Sequence, residues 1–197
     1  MHRIMRLGAI AAVAAALTAF GGPALAETTT VMTNSTSVLP ESQGYVKVQC
    51  PSTIPYPVTI RASSSVKDSY NSQYLNYKEI AVAGREVKVN FTNSQSKRDA
   101  HSVNIPVKVE VLCSDVPHEP PTGLELMQRA DIAPGVDAAV TVSCPPAYPH
   151  VTRYEERHST GVDVVDVQQN GPTYFVGYQN TDFLHTASAT LYVTCSA

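Results

Sequence analysis

Val46-Lys47-Val48-Gln49-Cys50-Pro51 and, further on, Val140-Thr141-Val142-Ser143-Cys144-Pro145 are one pattern written twice. In each, apolar and polar side chains alternate and the run ends in Cys-Pro. A period of two puts Val46, Val48 and Cys50 on one face of a strand and Lys47 and Gln49 on the other, the mark of an antiparallel strand with one buried and one wet face. The pattern continues beyond the cysteines. Val87-Lys88-Val89-Asn90-Phe91-Thr92-Asn93-Ser94 matches Tyr174-Phe175-Val176-Gly177-Tyr178-Gln179-Asn180-Thr181. Val107-Lys108-Val109-Glu110-Val111-Leu112-Cys113-Ser114 matches Ala189-Thr190-Leu191-Tyr192-Val193-Thr194-Cys195-Ser196. Each half therefore opens and closes on a strand that carries a cysteine.

Four cysteines allow three pairings, and the duplication selects one bridge per copy, Cys50–Cys113 and Cys144–Cys195. Cys50–Asn93 is longer than Cys144–Asn180, and Asn93–Cys113 is longer than Asn180–Cys195. The first copy thus carries two insertions between matched strands, where loops tolerate them. No stretch holds a helical period for more than three turns. The fold class expected is all-β: two tandem small β-sandwich-like domains, residues 44–115 and 138–197, each closed by one disulfide. Units this small have marginal cores, and closing loops of this length with a disulfide contributes about 4 kcal/mol in the chain-entropy model.

Upstream of the repeat, residues 1–26 read as a signal peptide. Arg3 and Arg6 precede an Ala/Val/Leu-rich stretch, and Ala24-Leu25-Ala26 is the small-x-small end that a signal peptidase accepts. Export agrees with an even number of cysteines. Losing two arginines makes the remaining chain more acidic than its whole-chain net charge of -3, which excludes the basic footprint of a nucleic-acid binder. No apolar run of membrane-spanning length follows the leader. The whole chain has no Trp, few charges and 14 prolines, as expected of a strand- and turn-rich secreted protein.

Three segments lie outside the matched strands. Residues 27–43 are rich in Thr, Ser and Asn. Their ordinary reading is a frayed terminus; the sharper one is an extended arm in which Thr28, Thr29, Thr30, Val31 and Met32 add as a strand to a partner. Residues 116–137, with Pro117, Pro120, Pro121 and Pro134, read as a semi-rigid linker. Within it Leu124–Arg129 suits a strand or a short helical turn. The insertion between Ser63 and Tyr77 places Tyr70, Tyr74 and Tyr77 among Ser, Asn and Gln. That composition suits a contact surface or one face of a short helix capped by Asp68; half-buried rings covering a sandwich edge are the plainer account.

Catalytic signatures are missing. The chain contains no G-x-S-x-G, H-E-x-x-H, P-loop or G-x-G-x-x-G, and bridging the cysteines leaves no thiol nucleophile. His101, His118, His150, His158 and His185 show no local ligand spacing. Glu155-Glu156 and Asp163/Asp166 could in principle supply the paired carboxylates of a glycosidase, but solvated charges on small units are the better account. No enzyme activity, metal or cofactor is expected.

The second unit resembles small secreted proteins of actinobacteria, whose pattern is a strand ending in Cys-Pro, a middle strand followed by Asn-Thr, and a final strand ending in Cys-Ser or Cys-Ala. Here these are Val140–Pro145, Tyr174–Thr181 and Ala189–Ala197. The likeness covers most of 138–197 and, more faintly, 44–115. It departs at Pro146-Ala147-Tyr148-Pro149, where many members have a glycine-rich run, and at Tyr174-Phe175, where they have a Trp. In plan the chain also resembles the adaptor subunit of umbrella-shaped secreted toxin particles. That resemblance implies partners among other secreted proteins, a lectin-bearing subunit and a toxin-bearing stalk subunit, with no membrane span. Two alternatives stand beside it: a carbohydrate- or cell-wall-binding module, and a secreted protease inhibitor, for which the linker Pro117–Pro134 is a poor displayed loop because no bridge braces it. If the cysteines are paired within units, excess reductant lowers the melting temperature of both units in a calorimetric scan; unchanged melting would contradict the pairing.

Overall fold

The computed structural model describes residues 26–66, 74–100, 102–119, 121 and 123–197. The expected signal peptide, apart from Ala26, lies outside these residues, as do Asp68 and Tyr70. The described chain is all-β. Its first half holds β1 (Thr29–Val38), β2 (Ser42–Gln49), β3 (Tyr56–Val66), β4 (Leu75–Ala83), β5 (Glu86–Asn93) and β6 (Ile105–Ser114). The second holds β7 (Gly123–Ile132), β8 (Asp137–Ser143), β9 (His150–His158), β10 (Val162–Asn170), β11 (Thr173–Asn180) and β12 (Ala187–Ser196).

Alternation decides which face each strand buries. In β12, Ala189, Leu191, Val193 and Cys195 are fully buried while Thr190, Tyr192 and Thr194 face outward. β6 behaves alike, with Val107, Val109, Val111 and Cys113 turned inward. A three-stranded sheet in the order β2-β5-β4 covers the first half, and one in the order β10-β11-β8 covers the second. Opposite both lies a single six-stranded sheet, β1-β6-β3-β7-β12-β9. The result is two β-sandwich-like halves that share one sheet. Their join is a parallel ladder between β3 and β7, from Ile60 opposite Leu124 to Val66 opposite Ala130.

Both predicted disulfides are present. Cys50, just past β2, meets Cys113 in β6 across the first sandwich, with Cα atoms 5.8 Å apart; Cys144, just past β8, meets Cys195 in β12 at 5.7 Å. Each bridge ties the small sheet of its half to the shared one.

Two boundaries need correction. Residues 27–43 are not a free arm: they form β1 and the start of β2, and β1 pairs antiparallel with β6 along its whole length, from Thr29 opposite Ser114 to Val38 opposite Ile105. Nor is 116–137 a linker, because it contains β7, which lies between β3 and β12. Leu124–Arg129 is strand throughout. β7 is the second copy of β1. Val38-Leu39-Pro40-Glu41 stands at the same offset from Cys50 as Ile132-Ala133-Pro134-Gly135 does from Cys144, and both turns put their fourth residue at positive φ, 52° at Glu41 and 65° at Gly135. The prolines mark that turn, not a tether.

The repeat extends to a buried hydrogen-bond knot. Asn180, fully buried at the end of β11, donates from Nδ2 to the carbonyls of Ile132, Ala133 and His185, and accepts at Oδ1 from the Asp182 amide. Asn93, at the end of β5, donates to the Val38 and Val103 carbonyls and accepts from the Gln95 amide. One amide side chain thus staples β1 or β7, in the shared sheet, to the opposite sheet and to the following loop. Buried carbonyls left without a donor are costly. Asn180→Ala is expected to cost about 3 kcal/mol, read as a fall in the urea midpoint; a loss under ~0.5 kcal/mol would show that the knot is dispensable.

Candidate interaction surfaces

The start of the chain is tied down locally. The Thr28 amide donates to the Asp115 carboxylate at 2.9 Å, and the Asp115 amide donates back to the Thr28 carbonyl. These contacts hold the Asp115 carboxyl below the usual carboxylate range, the Thr28 amide being the largest cause. Glu27 is lowered likewise, first by a hydrogen bond from Ser114 and then by His118, whose Nε2 lies 2.7 Å from its carboxylate. Thr28, Thr29, Thr30, Val31 and Met32 therefore serve their own sheet first. β1 is nonetheless the end strand of that sheet, so one backbone edge faces outward, and between Thr29 and Val38 it carries no charged residue.

The tyrosines part company. Tyr77 is a core residue of β4, edge-on to Phe91 with ring centroids 6.5 Å apart. Burial raises its hydroxyl pKa well above the ordinary tyrosine value. It belongs to a strand, not a helix, because it alternates with Leu75 against β5, and it offers nothing to a partner. Tyr74 is partly buried against the core. Three other rings at the surface have a face occupied: Lys88 lies 4.9 Å from the centroid of Tyr45, Arg157 lies 5.1 Å from that of Tyr192, and Tyr154 stacks on Tyr174 at 4.3 Å.

On the outer face of the shared sheet a shallow hollow is lined by Arg61, Glu125, Arg153, Glu155, Arg157 and Tyr192. Its charges are already paired, Arg61 with Glu125 at 2.7 Å across the β3–β7 ladder and Arg157 with Glu155 at 2.7 Å. Glu155 and Glu156, adjacent on β9, point to opposite faces. Among the described residues no three His, Cys, Asp or Glu side chains gather at a metal-binding distance, and no helix is long and apolar enough to cross a membrane.

The feature that composition did not single out is the loop between β11 and β12. Phe183 and Leu184 stand there 80% and 82% exposed, in a loop held by polar contacts on every side. Asp182 accepts at Oδ1 from the Leu184 and His185 amides and at Oδ2 lies 2.9 Å from His185 Nδ1. Thr181 bonds to the Gly161 carbonyl through both its amide and its hydroxyl, and the Gly135 amide donates to the Asp182 carbonyl. The Phe183 ring lies against Gly135, where an added Cβ would come within 2.7 Å of it. Large apolar side chains held rigidly in solvent are characteristic of binding hot spots. The sequence signal was available in Asp182-Phe183-Leu184-His185: a turn-forming aspartate before two bulky apolar residues, outside any alternation.

Comparison with family models, curated proteins and solved structures returns no match.

Two results are expected from the loop. Gly135→Ala forces a side chain into a positive-φ position and into the Phe183 ring, so it destabilises by about 1 kcal/mol or more and shifts the Phe183 ring resonances; an unshifted ring would refute the contact. The Asp182 carboxyl is held below the usual range, first by the Leu184 amide and then by His185. A depressed carboxylate contributes fully above its unfolded value of ~3.9 and loses that contribution as pH falls through the lowered one. The Asp182 side-chain carboxyl 13C resonance should therefore complete its titration step below ~3.9, the unfolded value; a midpoint at or above that value would contradict these contacts.

Proposed function

We propose that this chain is a secreted, non-enzymatic interaction protein, a structural adaptor that joins other secreted proteins in an extracellular assembly. The observation that carries this reading is the rigid Phe183–Leu184 loop. Exposing two such side chains is unfavourable in water, and hydrogen bonds brace the backbone that carries them. A preordered knob loses little entropy on docking. The open edge of β1 offers a second surface, suited to strand addition. Two disulfides are compatible with an extracellular location, and the leader supplies the export route. The resemblance to toxin-particle adaptors suggests a lectin-bearing subunit and a toxin-bearing stalk subunit as the partners.

The alternatives have less support. A sugar-binding module stacks rings on pyranose faces, yet Tyr45, Tyr154 and Tyr192 each have a face already covered. An inhibitor needs an accessible, extended loop, whereas residues 116–137 hold β7, paired on both edges.

Affinity purification of the tagged protein from its native culture medium, with mass spectrometry, tests the proposal. Wild type should recover stoichiometric secreted partners. The Phe183→Ser/Leu184→Ser variant should lose at least one of them with its thermal midpoint unchanged, since both side chains are exposed. No partner, together with retention on purified cell wall, would favour the carbohydrate-binding alternative.

A further inference from the structure

The joint between the two halves has a vacant duplicate. In the first half, β3 receives β7 as a parallel neighbour, and β4 lies beside β8 of the other small sheet. By the repeat, β9 corresponds to β3 and β10 to β4. Both pairs even place their irregularities alike, at Val58 in β3 and Thr152 in β9, and after Tyr77 in β4 and Val164 in β10. Yet among the described residues β9 and β10 have no strand beyond them. At the opposite end of the molecule β1, the counterpart of β7, is equally open.

The side chains register this vacancy. Tyr77 and Ile80 of β4 are 5% and 8% exposed, whereas their counterparts Val164 and Val167 of β10 are 37% and 44% exposed. Ile60 of β3 is buried, whereas Tyr154, its counterpart in β9, is half exposed. Apolar positions that the second half covers in the first half are left bare at the far end.

We infer that this edge is an assembly surface and that its occupant is the β1 edge of a second copy of this chain, added in parallel to β9 as β7 is added to β3. Continuity with the internal joint argues for this occupant. Transferring the β3–β7 register places Tyr154 opposite Thr30, Glu155 opposite Val31, Glu156 opposite Met32 and Arg157 opposite Thr33. β9 brings a run of charges, which normally blocks pairing between edges. β1 brings none, so no like charges meet. Charge on β9 disfavours β9–β9 contacts while leaving β9–β1 open, which is how an edge selects one partner over another. The contact joins different surfaces, so each copy leaves one edge of each kind for the next, and the product is a head-to-tail assembly of more than two molecules. The inference takes up the open edges only; it does not depend on what the Phe183–Leu184 loop binds.

Sedimentation velocity over rising concentration tests it with three proteins: wild type, Val31→Glu/Thr33→Lys, which sets like charges against Glu155 and Arg157, and Val31→Lys/Thr33→Glu, which sets opposite ones. Val31 and Thr33 are exposed, and equal thermal midpoints will show that all three fold. Wild type should grow in mass past the dimer. The like-charge variant should need ~10-fold more protein, and the opposite-charge variant ~10-fold less, for the same mass, with the gap narrowing in salt. A wild type that stays monomeric throughout, a series that stops at a dimer, or two variants that shift in the same direction would each overturn it. Loss of a heterologous partner by the loop variant, with this series intact, would separate the two proposals.

Discussion

The parallel ladder between β3 and β7 is the constraint on which the rest of the molecule depends. Parallel neighbours cannot be joined by a tight turn, and here the chain completes β4, β5 and β6 before β7 returns to β3. Once made, the ladder turns two marginal sandwiches into one body. It buries Ile60, Ala62, Leu124 and Leu126 along the seam and places the Arg61–Glu125 pair across its outer face. Neither half has a free edge at the seam, and among the described residues the open edges of the shared sheet are β1 and β9.

Around that seam the stabilising devices come in twins. Each disulfide fastens a small sheet to the shared one, and each buried asparagine fastens the turn after β1 or β7 to the strand end opposite. The bridges act chiefly on the unfolded chain, while the asparagines satisfy carbonyls that would otherwise be buried without donors. The second copy adds what the first lacks. Its shorter loop after Asn180 is cross-braced by Asp182 and displays Phe183 and Leu184, where the first copy has the polar run Ser96-Lys97-Arg98-Asp99. Duplication supplied the scaffold, and divergence in one loop supplied the surface through which the proposed adaptor docks.

The alternating strands and cysteine-framed ends were legible because both are local: a period of two and a spacing survive in a linear string. From them the fold class, the duplication and both pairings could be read. β1 and β7 were harder to read because Thr, Ser and Asn dilute the alternation in one and prolines flank the other. Only their shared turn, Pro40 and Pro134 at one offset, betrayed the equivalence. Tyr77 was misjudged for a related reason: polar neighbours suggest a surface, while its burial depends on Phe91, which is remote in sequence.

What the sequence alone determined is the set of faces: which side chains point inward on each strand and which cysteines can meet, since alternation and duplication are written residue by residue. What only the tertiary structure decided is the order of the strands. Backbone hydrogen bonds between β3 and β7 use groups that every residue carries, so nothing in the side-chain pattern announces that pairing. The free edges and the exposed loop follow from that arrangement in space.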